Sequence, residues 1–161
     1  MGKRKKIYLV ITCILLTSTL TMSVYFINQN PLVIGGVTEY NNGENYDIEL
    51  VNTGFRNIKL TKVVSGNQKL DDAELVFSYT EQLVAGGIDS SPQAKFLRLS
   101  DGHIRPRMSV KDQQKAIKAG NIPVHYGIRL NNKETTLLSV IIHYRYFGMT
   151  FKREVILKQI E

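Results

Sequence analysis

The amino-terminal part of the chain carries one uninterrupted apolar run. Residues Ile7 to Ile27 form 21 consecutive positions without a charge, a Gly or a Pro, and the basic residues Lys3 to Lys6 stand directly before them. At about 1.5 Å of rise per residue, such a helix is about 31 Å long and matches a hydrocarbon layer of about 30 Å. The pattern predicts a transmembrane helix over residues 7–27.

The basic cluster predicts the orientation of that helix. Because flanking Lys and Arg stay on the cytoplasmic side, residues 1–6 are expected in the cytoplasm and the rest of the chain outside it. The expected location is therefore the cell membrane, crossed once, with an extracytoplasmic carboxyl-terminal domain. A cleaved signal peptide is the alternative, although its apolar region is shorter and Thr21-Met22-Ser23 is the only near fit to a cleavage site.

From Tyr46 onward, apolar positions recur with a period of two, which is typical of half-buried strands. Tyr46, Ile48 and Leu50 alternate with polar residues, and later runs repeat the pattern. Lys62 interrupts one of them, which suits a strand end or a sheet edge. Strands are predicted in the ranges 46–50, 58–64, 75–79, 95–99, 124–130, 138–146 and 150–157.

The dipeptide Gly148-Met149 lies between the last two predicted strands. A two-residue connection that begins with Gly is typical of a type II′ hairpin turn. We therefore expect an antiparallel hairpin at the centre of the domain.

A short helix interrupts the strands. Ser109 is a suitable amino-terminal cap, Asp112 follows three residues later, and Gly120 is a suitable end. Before the first strand, residues 28–45 contain Asn, Gly and Pro in loop-forming combinations and are predicted to be a spacer, with a short edge strand conceivable at 32–34 or 36–40.

The order of these elements predicts a mainly β domain over residues 46–161. Short strands with turns every 8–12 residues favour an antiparallel sandwich of the immunoglobulin or fibronectin-III type with one short inserted helix, preceded by the single transmembrane helix. The chain has no Trp and one Cys, so the Cys–Trp–Cys marker of immunoglobulin domains is absent. A partly open barrel is the alternative.

Four segments carry a resemblance to a known group. "IELVNTGFRNIKLTKVV", "GHIRPRMSV", "IPVHYGIRL" and "SVIIHYRYFG", in this order behind a basic and apolar amino terminus, resemble uncharacterised small membrane-anchored proteins of Bacillus-like Firmicutes. The resemblance covers residues 46–157 loosely. It implies a membrane location and a sandwich-like fold, and it implies no catalytic residue.

Charge and cysteine content exclude several function classes. The formal net charge of the 161 residues is +7, but residues 28–161 carry 17 basic against 14 acidic side chains. A domain at +3 gives no strong reason to expect a nucleic-acid partner. Cys13 lies in the apolar run, so the domain has no disulfide, cysteine zinc site or cysteine nucleophile.

One basic patch stands out. It consists of two arginines, Arg105 and Arg107, and of three lysines that share one face of the predicted helix, Lys111, Lys115 and Lys118. Arginines bind phosphate or carboxylate groups in a bidentate manner, so the patch is a candidate site for an anionic wall polymer or lipid headgroup. The alternative is a solvated helix face.

Catalytic and cofactor motifs are not recognisable. The histidines at 103, 125 and 143 match no local metal motif, and those at 125 and 143 are expected to face solvent or a neighbouring strand. We predict no metal, no cofactor and a non-enzymatic membrane-anchored interaction module of the cell envelope, whose partner is an envelope protein or an anionic wall or lipid component. The alternative is a small hydrolase in which His103 or His125 pairs with a carboxylate, and a pocket containing such a pair favours it.

Overall fold

The computed structural model describes residues 2–28, 30–88, 91, 93–131 and 137–158. The predicted segment 1–6 and the predicted domain 46–161 each include residues outside these ranges. The chain divides into two compact units, Met1–Asn30 and Pro31–Glu161.

The first unit contains helix α1, Lys3–Asn28. Its apolar residues are spread evenly around the axis, so the helix has no polar face. Several hydroxyl groups donate to carbonyl oxygens one turn earlier, for example Thr12 Oγ1 to Tyr8 O at 2.9 Å and Thr17 Oγ1 to Cys13 O at 3.0 Å. Within the part of the chain that the structure describes, no helix is both long enough and apolar enough to span a membrane.

The second unit is mainly β, as predicted. Its described residues form two antiparallel sheets, ordered β1-β2-β7-β5-β6 and β4-β3-β8-β9, with one helix between β6 and β7. The elements are β1 Leu32–Tyr40, β2 Asn45–Asn52, β3 Lys59–Ser65, β4 Gln68–Lys69, β5 Glu74–Ser78, β6 Lys95–Arg98, α2 Val110–Ala119, β7 His125–Asn131, β8 Ser139–Tyr146 and β9 Met149–Ile156.

The two sheets share one hydrophobic core. The stripe predicted on β2, namely Tyr46, Ile48 and Leu50, is buried in it together with Leu60 of β3 and Tyr144 of β8. Because side chains alternate between the faces of a strand, this inward stripe places the intervening residues of β2 on the outer face of its sheet.

Strand β1 occupies most of the segment that the sequence assigns to a spacer. It pairs with β2 along its whole length and contains a bulge between Ile34 and Gly36, so the compact unit begins at Pro31. The Gly35-Gly36 pair is not a loop signal here. A Cβ on Gly35 would lie 2.8 Å from Glu49 Cγ, so glycine makes room for a buried side chain of the neighbouring strand.

One of two local predictions differs from the structure. Among the described residues, Lys62 pairs with β8 on one side only, because β4 pairs with Val64 and Ser65, so Lys62 lies at a sheet edge, one of its two expected places. A bulge between Leu60 and Lys62 turns its side chain outward and returns Val63 to the core. The β8–β9 turn consists of Phe147 and Gly148, with φ angles of 53° and 76°. Two positive φ angles define a type I′ turn, not the predicted type II′.

Helix α2 begins and ends where the capping residues predict. Ser109 Oγ accepts a hydrogen bond from the Asp112 N–H at 3.2 Å, and Gly120 closes the helix with φ of 65°. Its side chains on the sheet side include Ala116, which is buried, and Gln113, which is half-buried.

Candidate functional site

The outer face of the five-stranded sheet is partly covered by the segment between β5 and β6. Val84 and Ile88 of this segment pack on Val76 of β5 and form a second, smaller apolar cluster. A Cβ on Gly127 of β7 would lie 2.5 Å from Val84 Cγ1, so Val84 lies directly on the glycine. The covering segment therefore approaches the sheet closely at Gly127, and polar residues of this face become buried.

Glu49 is the central buried residue of the face. Its side chain is 5% exposed, and the two carboxylate oxygens contact different elements. Oε2 accepts the N–H of Val84 at 2.6 Å and that of Ala85 at 3.4 Å, while Oε1 lies 3.2 Å from His125 Nδ1. The carboxylate thus joins β2, β7 and the covering segment.

His125 continues the network to α2. Its Nε2 lies 3.2 Å from Gln113 Nε2. Both contacts are satisfied together when the imidazole donates from Nδ1 to Glu49 and accepts the Gln113 amide proton at Nε2. This tautomer is assigned from the hydrogen-bond pattern, and it orients the ring between the sheet and the helix.

A second buried ion pair joins the same two strands, two residues before Glu49 on β2 and four residues after His125 on β7. Arg129 Nε and Nη2 donate to the two carboxylate oxygens of Asp47 at 3.0 and 3.2 Å, and the guanidinium lies 4.5 Å from the ring centre of Phe96. Bidentate pairing satisfies a carboxylate that is 1% exposed. This ion pair links β2 to β7. Of the two pairs, the one between Glu49 and His125 lies beside a cavity.

A cavity of about 250 Å³ opens beside Glu49 and His125. Arg105 and Arg107 form part of its lining and are exposed, while Val51 and Met108 supply apolar wall. We call it the arginine pocket. It combines two guanidinium groups with an apolar wall, an arrangement suited to a small anionic ligand.

Tyr126 fixes the segments on both sides of α2 at this pocket. Its hydroxyl donates to Pro123 O at 3.1 Å and also hydrogen-bonds the backbone of Arg105. Burial raises the pKa of Tyr126 to about 12, and the contact with Arg105 opposes part of that rise. The phenol is therefore a stable neutral anchor for the arginine segment at neutral pH.

The structure separates the residues of the predicted basic patch. Arg105 and Arg107 line the arginine pocket, whereas Lys111, Lys115 and Lys118 are exposed on α2 and are not among the lining residues. The lysines face away because Gln113 and Ala116 take the sheet side of the helix.

The three histidines lie in different surroundings. His103 is exposed, and His143 lies between strands in register with Lys62 and Lys152. Burial, followed by the charges of these two lysines, lowers the pKa of His143. Of the two expected surroundings of His125, solvent or a neighbouring strand, the structure shows the second: its side chain is 16% exposed and contacts Glu49 of the neighbouring strand β2.

Glu49 and Gln113 are site residues that the strand and helix patterns did not reveal. The alternation in β2 assigned Glu49 to a solvated face. Two signals in the sequence opposed that assignment: Val76 is apolar on the outer side of β5, and Gly127 has no side chain on the outer side of β7. A face that carries Gly and Val at its centre is more typical of a covered surface.

Another cavity, of about 710 Å³, lies at the other end of the domain. It is an open groove lined by Asp71, Asp72 and Glu74 together with Lys69 and Arg98. Lys69 and Asp71 already form an exposed ion pair. Among the described residues, no group of three His, Cys, Asp or Glu side chains is placed to hold a metal ion.

Comparison with known proteins gives no relative. No protein-family model, curated protein or solved structure matches the chain. The resemblance to membrane-anchored proteins of Firmicutes stays a prediction.

Proposed function

We propose that the protein is a single-pass, membrane-anchored module of the bacterial cell envelope that binds an anionic envelope component without turning it over. The observation that carries the proposal is the arginine pocket. Two exposed guanidinium groups, at Arg105 and Arg107, border a cavity of about 250 Å³ with an apolar wall. Phosphate and carboxylate groups are the ligands that paired arginines bind most strongly.

Helix α1 supports the anchoring part of the proposal. The run from Ile7 to Ile27 has no charge, and a helix with apolar residues on every side suits surroundings that are apolar on every side. Its hydroxyl groups already hydrogen-bond carbonyls of the same helix, which lowers the cost of placing Thr12 or Thr17 in lipid. The basic residues before the run favour a cytoplasmic amino terminus.

Strand order supports an immunoglobulin-like sandwich. In that fold one sheet has the order A-B-E-D and the other contains C, F and G. Assigning β1, β2, β7 and β5 to A, B, E and D gives the observed first sheet, and β3, β8 and β9 then follow as C, F and G. Strand β6 and helix α2 are additions between D and E. The arginine pocket lies beside that addition, and functional sites are often carried by segments added to a common fold.

The binding proposal is tested with the full chain in detergent micelles. We expect immobilised teichoic acid, a phosphate-rich wall polymer, to retain the protein at low salt. We expect Arg105→Ala combined with Arg107→Ala to reduce that retention about tenfold or more, because each charge-assisted hydrogen bond contributes about 1.5–3 kcal/mol.

The matched control is Lys115→Ala combined with Lys118→Ala, which removes the same charge from residues outside the pocket lining. We expect this control to change retention much less. Equal retention of the arginine variant and the parent protein at low salt contradicts the proposed site.

The anchoring proposal has its own test. A carboxyl-terminal epitope should be removed when intact cells are treated with a protease, while the amino terminus stays protected. Mature protein in the culture medium with an amino terminus near position 24 contradicts a retained anchor and supports the cleaved alternative.

The second candidate is a small envelope hydrolase, which the contact between His125 and Glu49 favours. A carboxylate that orients an imidazole is the arrangement of a general base. Two features weigh against it. Gln113 hydrogen-bonds the second imidazole nitrogen. Among the described residues that line the arginine pocket, none is a Ser, Thr or Cys that could act as nucleophile. Attack by water, activated at His125 Nε2 after Gln113 moves, is the reaction that remains.

This candidate is tested by hydrolysis of p-nitrophenyl acetate and p-nitrophenyl phosphate. An enzyme should show turnover that His125→Gln abolishes and Gln113→Ala preserves. Turnover that is equal in the parent protein and in the His125 variant contradicts the hydrolase.

A further inference from the structure

Outward-pointing side chains of the four-stranded sheet form two cationic rows across the strands. Lys59 of β3 lies directly opposite Arg145 of β8. One step along, His143 lies opposite Lys62 on one side and Lys152 on the other. We call the four Lys and Arg residues among them the cationic face.

Positive side chains outnumber negative ones in the strands of the cationic face. Among the residues of β3, β8 and β9, all of which the structure describes, Glu154 is the only carboxylate. Like charges placed directly opposite one another on neighbouring strands repel, as Lys59 and Arg145 do. An anionic surface laid against the face would relieve this repulsion.

An exposed aromatic group borders the cationic face at the β8–β9 turn. Phe147 is 45% exposed, and its ring centre lies 5.1 Å from that of Phe55, which is 60% exposed. Met149, 37% exposed, follows the turn. We call Phe55, Phe147 and Met149 the aromatic tip. Exposed apolar side chains gathered at one point are typical of an interaction surface.

The backbone of the tip is specialised. Phe147 has φ of 53°, a left-handed conformation that Asn or Gly adopts at less cost in a type I′ turn. The Phe55 N–H donates to the Tyr146 hydroxyl at 3.2 Å, which holds the other half of the tip in place. A left-handed conformation of a bulky residue costs folding free energy, so a functional role explains an exposed Phe147 here better than a stabilising role does.

The aromatic tip lies where the chain enters the domain. The Thr53 N–H donates to Pro31 O at 2.8 Å, and a Cβ on Gly54 would lie 3.0 Å from Pro31 Cβ. Only two residues separate Pro31 from the end of α1 at Asn28.

We propose that the aromatic tip and the cationic face dock on the anionic phospholipid surface of the membrane that holds α1. Phe55 and Phe147 enter the interfacial layer, where aromatic side chains concentrate. Lys59, Arg145 and their neighbours lie against the phosphate groups. This inference rests on the proposed anchoring of α1, and it assigns the domain a fixed contact with the lipid surface.

The experiment places an environment-sensitive NBD label on the full chain reconstituted in vesicles that contain brominated, fluorescence-quenching lipids. A label on the native Cys13 reports on α1. In a Cys13→Ser background, Thr150→Cys reports on the aromatic tip, and Asn67→Cys reports on the opposite end of the domain. Vesicles of phosphatidylcholine alone are compared with vesicles that contain one third phosphatidylglycerol.

We expect the label at Cys13 to be quenched in both vesicles and the label at position 150 to be quenched mainly in those with phosphatidylglycerol. The label at position 67 should stay in water. Lys59→Gln combined with Arg145→Gln should lower quenching at position 150 at least about fivefold in anionic vesicles, and 0.5 M salt should act in the same direction. Lys69→Gln combined with Lys158→Gln is the matched charge control and should have little effect.

Phe147→Asn provides a second variant that keeps the turn, because Asn-Gly is a preferred type I′ pair. It should also reduce quenching at position 150 without unfolding the domain.

Quenching at Cys13 with none at position 150 overturns the docking proposal and leaves the anchor standing. Quenching at position 150 with none at Cys13 supports docking and contradicts the anchor, and equal quenching at position 150 in both vesicles overturns the role of the cationic face.

Discussion

Val84 lies on Gly127, and it occupies the space that any side chain at position 127 would need. The Cβ of an alanine there would lie 2.5 Å from Val84 Cγ1 and 2.6 Å from the Ile48 carbonyl oxygen. The second of these contacts is to backbone, which cannot rotate away. The covering segment can therefore pack on the sheet in this position only because residue 127 has no side chain.

Gly127→Ala should destabilise the domain by about 1–3 kcal/mol, because an overpacked position forces the covering segment to move. Gly86→Ala is the matched control, since its added Cβ would lie 3.7 Å from the nearest side-chain atom. Urea unfolding of the full chain in micelles measures the change, and limited proteolysis should cut the 79–94 segment faster in the Gly127 variant. Equal stability of the two variants contradicts the packing described here.

Glu49→Ala should be more severe. The substitution leaves the Val84 N–H and the His125 ring without their acceptor in a buried place, which costs about 3 kcal/mol. Glu44→Ala, on an exposed turn, should change the free energy of unfolding by less than about 0.5 kcal/mol. Denaturant unfolding checks both values, and a Glu49 variant as stable as the Glu44 variant contradicts the network.

Stability should fall at alkaline pH through two buried tyrosines. Burial raises the pKa of Tyr144 and of Tyr126 to about 12, from 10.0 for an exposed tyrosine. Because these tyrosines ionise at lower pH in the unfolded chain than in the folded one, the stability that they contribute is complete below pH 10 and is lost as the pH rises from 10 to 12. For each tyrosine the full loss is about 3 kcal/mol.

Tyr126→Phe combined with Tyr144→Phe tests this dependence. The variant is expected to start less stable, because both hydroxyls are hydrogen-bonded, but its stability should change less between pH 10 and pH 12 than that of the parent protein. Urea midpoints across that range measure the slope. Parallel slopes contradict the assignment.

His143 should respond to its two lysine neighbours. Its pKa is lowered from 6.5, first by burial and then by Lys62 and Lys152. The unfolded chain therefore takes up this proton first as the pH falls, and stability declines once the pH drops below about 6.5. Lys62→Gln combined with Lys152→Gln should raise the pKa of His143 toward 6.5, measured by NMR titration of the ring protons. An unchanged pKa contradicts the cross-strand arrangement of the cationic face.

The regular parts of this fold follow from local patterns. The stripe Tyr46, Ile48 and Leu50 marks β2 because alternation by two places three apolar side chains on one face. Ser109 and Gly120 bound α2 because an amino-terminal hydroxyl acceptor and a left-handed glycine satisfy free backbone groups at helix ends. These signals act over a few residues, so the sequence displays them directly.

The irregular features are harder to predict because they depend on residues that are distant in the sequence. The bulge before Lys62 and the type I′ turn at Phe147 depend on pairing with β8 and on ring contacts with Phe55, none of which is local in sequence. The sequence around Gly35 predicts a loop. The reason for a glycine there is the side chain of Glu49 on the neighbouring strand, which the local sequence does not reveal.

The sequence alone determined that the domain is mainly β, where most of its strands and its inserted helix lie, and that Arg105 and Arg107 are candidates for binding an anion. Only the tertiary structure decided that Glu49 is buried against His125, that the helix lysines stand apart from the arginines, and that Lys59 faces Arg145. Periodicity tells which side of a strand a residue occupies, whereas what covers that side depends on segments distant in the chain, whose contacts form only when the whole domain folds.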